Sequence, residues 1–88
     1  MRINLNSKQK KTLEKLQAKP VLNSIKFNEV DKLLIALDCK RAESKGSAII
    51  FSLDGKHLSI HRPHPNNEIL KYVVKNIQEF LKETGVIE

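Results

Sequence analysis

Residues 47–62 read SAIIFSLDGKHLSIHR, two strand-like runs over 47–53 and 56–62 hinged on Asp54-Gly55. Asp-Gly between alternating apolar runs is the strongest short-range hairpin signal, because both central residues of a type I′ turn need positive φ. A two-residue turn also fixes register. It predicts Leu53 opposite Lys56, Ser52 opposite His57, Phe51 opposite Leu58, Ile50 opposite Ser59, Ile49 opposite Ile60 and Ala48 opposite His61. Strand side chains alternate between faces, so Ile49, Phe51, Leu58 and Ile60 point together toward a core. The other face carries Ala48, Ile50, Ser52, His57, Ser59 and His61.

Upstream of the hairpin, residues 39–44 are short and mixed and read as an edge strand, with Lys45-Gly46 as the turn. Before them, Val30, Leu33, Leu34 and Leu37 recur at the i, i+3, i+4, i+7 spacing of a helix with one buried stripe. This predicts a helix over about 29–38, with Asn28 and Asp31 in the pattern of a capping box. Asn6 and Ser7 can cap an earlier helix that reaches about Ala18 and stops before Pro20. Only Leu13 and Leu16 give that helix an apolar side, so it is expected to be a loosely packed appendage. Downstream, Asn66 or Asn67 can cap a last helix with Glu68 in its first turn, and Gly85 fits a left-handed C-terminal cap. Ile69, Leu70, Val73, Val74, Ile77, Phe80 and Leu81 form its apolar stripe; Lys71, Lys75, Gln78 and Lys82 fall on one opposite line.

The order α-α-β-β-β-α, with helices over one face of a three-stranded antiparallel sheet, makes an α+β two-layer sandwich. At 88 residues there is room for one domain, with residues 1–20 as a basic helical arm and 27–87 as the core. Apolar runs are too short to span a bilayer and no signal peptide is evident, so a soluble cytoplasmic chain is expected. A single cysteine, Cys39, rules out an internal disulfide and reads as a small buried hydrophobe.

The net charge of +6 favours a polyanionic partner. Residues 1–20 contribute Arg2, Lys8, Lys10, Lys11, Lys15 and Lys19 against Glu14, a net of +5. Either a solvated helix or phosphate contact accounts for that excess. The three histidines, His57, His61 and His64, are the side chains best suited to proton transfer near neutrality. On one strand His57 and His61 lie about 13 Å apart at ~3.3 Å per residue, too far to share a metal. His57 reads as a solvated strand residue. Pro63 and Pro65 hold His64 in an extended loop ahead of a helix, where Arg62 adds a fork of donors for an anion; a stiffened connector is the plainer account. Glycine-rich phosphate loops, nucleophile elbows and His-Glu-x-x-His are absent, and Phe51 and Phe80 are core positions, which argues against base stacking on the sheet.

Lys45-Gly46-Ser47, the hairpin, His61-Arg62-Pro63-His64-Pro65 with Glu68, and Phe80-Leu81 to Gly85-Val86 together resemble HicA toxins of bacterial toxin–antitoxin pairs. The resemblance covers about residues 27–87; Asn6-Ser7-Lys8-Gln9 is similar to a longer subgroup. It implies a double-stranded-RNA-binding-like fold and a metal-independent endoribonuclease, without cofactor, that cleaves mRNA and blocks translation. The implied partner is a HicB-type antitoxin in a hetero-oligomer, covering the active face. The family's catalytic histidine commonly follows the Gly-Ser of the second strand, and here that position is Ala48; a small glycine early in the last helix is replaced by Tyr72. On this resemblance Ala48, His61 and His64 are the catalytic positions, and Lys45, Ser47, Arg62, Lys71, Lys75 and Lys82 hold RNA. Three accounts of the alanine follow, in order of preference: an engineered replacement that silences a toxic protein, a shift of the role to His61, or a loss of activity leaving an RNA-binding module.

Overall fold

Asp54 and Gly55 adopt φ of 51° and 79°, the left-handed pair that a type I′ turn requires. The computed structural model describes residues 5–22, 25–46, 48–62 and 67–87. Its elements are α1 (Ser7–Leu16), α2 (Phe27–Ala36), β1 (Lys40–Glu43), β2 (Ala48–Leu53), β3 (Lys56–His61) and α3 (Lys71–Glu83). The strands form one antiparallel sheet in the order β1-β2-β3, and β2 and β3 pair in the register that the turn predicts, from Leu53 opposite Lys56 to Ala48 opposite His61. Ile49, Phe51, Leu58 and Ile60 are buried together with Val30, Leu33, Leu34 and Leu37 of α2 and its exit and Val74, Ile77, Phe80 and Leu81 of α3. His57, Ser59 and His61 on the other face are exposed. The architecture is the expected α+β order α-α-β-β-β-α.

Both later helices start elsewhere than their asparagines suggest. Helix α2 begins at Phe27, and the Glu29 carboxylate accepts the Lys26 backbone N–H at 3.2 Å. Asn28 does not cap it; its side-chain oxygen accepts from the Asn67 amide at 3.0 Å. Residues 67–69 are not helical: Asn67 is left-handed at φ 61°, the Phe27 N–H donates to its carbonyl, the Ile69 N–H donates to the Ile25 carbonyl, and Lys26 and Glu68 form a β-bridge. Helix α3 therefore starts only at Lys71 after Leu70, which is exposed rather than part of the buried stripe, and Glu68 is not in its first turn. Asn66 lies outside the described residues. At the other end Gly85, φ 79°, follows the Thr84 cap as expected.

Helix α1 is not a loose appendage. Asn6 and Gln9 form a reciprocal capping box at 2.8 and 3.0 Å. Leu16 is fully buried in the common core. Thr12 is buried too, and its hydroxyl donates to the Lys8 carbonyl at 3.0 Å, so a polar residue serves as core. Lys15 pairs with Glu29 of α2 at 3.4 Å, and the Gln78 amide of α3 donates to the Leu16 carbonyl. Truncating a fully buried leucine costs about 2–5 kcal/mol. Leu16→Ala is expected to destabilise the whole chain by that amount in urea unfolding, while Lys10→Ala, exposed on the same helix, changes little; equal, near-zero effects would mean that α1 is undocked.

Candidate functional site

Three rows of side chains cross the open face of the sheet: Lys40, Ser52 and His57; then Ala42, Ile50 and Ser59; then Ala48 and His61 at the end. In the first row the Ser52 hydroxyl and His57 Nδ1 are 2.9 Å apart, a cross-strand hydrogen bond that holds the imidazole. The register predicts this neighbourhood, but not the bond. At the last row the Ser44 N–H donates to the Ala48 carbonyl at 3.0 Å, closing a turn in which Gly46 has φ 77°. That conformation is open to glycine at no steric cost. A hollow of about 60 Å³, lined by Ser44, Gly46, Ala48 and Arg62 among others, lies against the turn. Lys45 on it is exposed.

Arg62 follows His61 and so turns to the opposite side of the strand, where its guanidinium pairs with Glu43. Glu43 also lies 3.8 Å from Arg41, which in turn donates to Asp31 of α2 at 2.9 Å. The four charges alternate along the rim of the sheet. Exposed pairs of this kind contribute little stability each. Their effect is to orient Arg62: its remaining N–H groups are the ones open to an anion.

Helix α3 runs antiparallel to β3, because Glu83 at its end lies 4.0 Å from Lys56 at the strand's start. Its two polar flanks differ. Asn76, Glu79 and Glu83 line a hollow of about 240 Å³ with His57 and Ser59, so the flank beside the open sheet is acidic. Lys71, Lys75, Gln78 and Lys82 follow one line along the helix. Gln78 reaches α1, and Lys82 lines a hollow with Gln17 and Lys19, so this line faces α1. The structure thus brings Lys45, Ala48, His61 and Arg62 to one end of the sheet, with Lys71 at the start of α3 level with that end. It places Lys75 and Lys82 along another flank. Ser47 and His64 lie outside the described residues. Leu70 and Tyr72 are large apolar side chains exposed at the entry to α3, at 61% and 62%; Leu70 was expected in the buried stripe.

Among the described residues, no group of three or more His, Cys, Asp and Glu is placed to hold a metal ion, and no helix is long and apolar enough to cross a membrane. Cys39 is buried behind α2, and desolvation, with the Asp38 carboxylate adding to it, pushes its thiol up to about 11.

A protein-family model described as the HicA toxin of bacterial toxin–antitoxin matches residues 27–86. Comparison with curated proteins and with solved structures returned no match. The matched segment spans α2, the whole sheet and α3, and leaves α1 outside.

The thiol prediction is direct. Since thiolate is the reacting form, the folded chain is expected to be alkylated by iodoacetamide near pH 8 at least about tenfold more slowly than the urea-unfolded chain. Burial favours the neutral thiol, so its contribution to stability is complete below the ordinary thiol value of 9.0 and is lost as pH rises through about 11. Equal alkylation rates would refute the burial.

Proposed function

The chain belongs to the family of HicA toxins of bacterial toxin–antitoxin pairs, and on that premise we propose that it is a cytoplasmic ribonuclease of messenger RNA whose reacting centre is the row of Ala48 and His61. The observation that carries this reading is the cross-strand pairing of those two residues at the end of the open face. In such a reaction the ribose 2′-oxygen attacks phosphorus while a base takes the hydroxyl proton. The bond from phosphorus to the 5′-oxygen breaks, and an acid returns a proton to that oxygen. Imidazole serves either role, and general acid–base help is worth about 10² to 10⁴ in rate. His61 is exposed and free to act; the Ala48 methyl can neither take nor give a proton.

His64 is the second assisting imidazole in this reading. Lys45, Ser47, Arg62 and Lys71 hold the phosphates nearest the centre, and Lys75 and Lys82 hold those that leave it along the flank toward α1. A side chain longer than alanine at position 48 fits, because that position is partly exposed at the mouth of the hollow. The alanine therefore silences the centre without disturbing the scaffold. The partner is a HicB-type antitoxin, and Leu70 and Tyr72 supply the kind of exposed apolar anchor on which protein interfaces depend. A second reading, RNA binding without cleavage, is favoured by the same methyl group.

Ala48→His is expected to raise cleavage of a messenger transcript by about 10² to 10⁴, with growth arrest on expression. His61→Ala in that background should remove most of the gain while the circular dichroism spectrum stays unchanged. If neither the parent nor Ala48→His cleaves RNA or slows growth, the enzyme reading is wrong. Tyr72→Ala is expected to weaken antitoxin binding by about tenfold or more without lowering Tm; unaltered affinity would place the antitoxin elsewhere.

A further inference from the structure

A further concavity lies away from the sheet. It is a cleft of about 600 Å³ between α1 and the start of α2, lined by Lys8, Lys11 and Lys15 on one wall and Lys32 on the other, with Glu29 as its single acid. Glu29 is already engaged, its carboxylate accepting the Lys26 N–H and pairing with Lys15. Lys8, Lys11 and Lys32 have no ion-pair partner among the described residues. Lys8 to Lys15 spans about 10 Å along the helix at 1.5 Å per residue. A concave site walled by like charges concentrates counterions, and lysines at this density favour a chain of phosphates.

We propose that the α1–α2 cleft is a second RNA-binding site, holding the phosphate backbone of a strand whose scissile portion lies at the sheet. The choice of RNA rests on the ribonuclease reading above, but the cleft's geometry does not. Three observations favour RNA over an acidic segment of a protein partner. None of the large exposed apolar side chains, Ile35, Leu70 and Tyr72, lines the cleft, and a protein interface needs such anchors at its centre. The remaining wall is polar, with Asn6, Gln9 and Asn28 offering amide N–H donors, their oxygens already accepting within the protein. The positive surface also continues past the cleft, through Lys19 three residues beyond α1 to Lys82, Lys75 and Lys71 on α3, an extent suited to a long polyanion. Three of the four cleft lysines precede residue 27, so the site is built by a helix outside the family-matched segment and would be particular to chains that carry it.

The test uses the full chain and a 20-nucleotide 2′-O-methyl oligouridylate, which cannot be cut through its 2′-oxygen, so binding is read separately from cleavage. The triple variant Lys8→Gln, Lys11→Gln, Lys32→Gln changes only side chains without ion pairs and leaves the Lys15 contact to Glu29 in place. Losing three phosphate contacts should lower the slope of log affinity against log salt by about 2, at ~0.7 per contact, and weaken binding at least about tenfold at low salt. An unchanged slope and affinity, in a variant of unchanged Tm, would overturn the proposal. So would a variant that keeps its RNA affinity but loses binding to poly-glutamate, which would assign the cleft to an acidic protein segment. A parent chain that loses binding in the triple variant yet cleaves no RNA even with histidine at position 48 refutes the ribonuclease reading and leaves the cleft standing; the converse result refutes the cleft alone.

Discussion

The pairing of β2 with β3 is the constraint on which the rest of the molecule depends. A slip of one residue would send Ile49, Phe51, Leu58 or Ile60 into water, at about 1.5–3 kcal/mol for each side chain expelled. The sum is comparable to the whole stability of a small domain, about 5–15 kcal/mol. Selection on the core therefore positions the open face as well. His61 stands opposite Ala48 because Ile60 must stand opposite Ile49. No interaction between the two outer residues is needed to keep them together.

What could be read from the chain alone divides along the range of the forces involved. The hairpin, its register and the Gly85 cap are set by residues close in sequence, and each is where local turn chemistry puts it. The starts of α2 and α3 are not local. They are decided by the pairing of residues 25–27 with 67–69, which draws Asn67 and Glu68 out of helix and occupies the Asn28 side chain. The docking of α1 was hidden for another reason: one of its two buried residues is Thr12, a polar residue whose hydroxyl is satisfied within the helix and so does not read as apolar. At the site, the vacancy opposite His61 was legible from register. The pairing of Arg62 with Glu43 was not, because it depends on how the turn through Gly46 sets β1 against β2. The lysine line on α3 was legible as a line, whereas its direction depends on α1.

Charge is therefore distributed with a sense that composition conceals. One flank of α3 presents Glu79 and Glu83 beside the histidine face, and the other continues the lysines of α1. A polyanion approaching the molecule is drawn to the helical side rather than to the sheet near His57, where Glu79 and Glu83 offset Lys40 and Lys56.

The bridge between Lys26 and Glu68 joins residues 42 apart, immediately at the entrances to α2 and α3, with an ion pair of 3.5 Å beside the backbone bonds. Closing a loop of that length carries an entropy cost that the hairpin does not face. The bridge is thus a long-range contact, exceeded in sequence separation by the bond from the Gln78 amide to the Leu16 carbonyl, 62 residues apart, and both raise the chain's contact order. The bridge's backbone bonds hold the two helix entrances to each other. Thermal opening in the folded protein should release those entrances, and with them Leu70 and Tyr72, while the strands remain paired. A partner that grips those two side chains would steady the bridge as well, and its binding would register as protection from hydrogen exchange at both helix entrances.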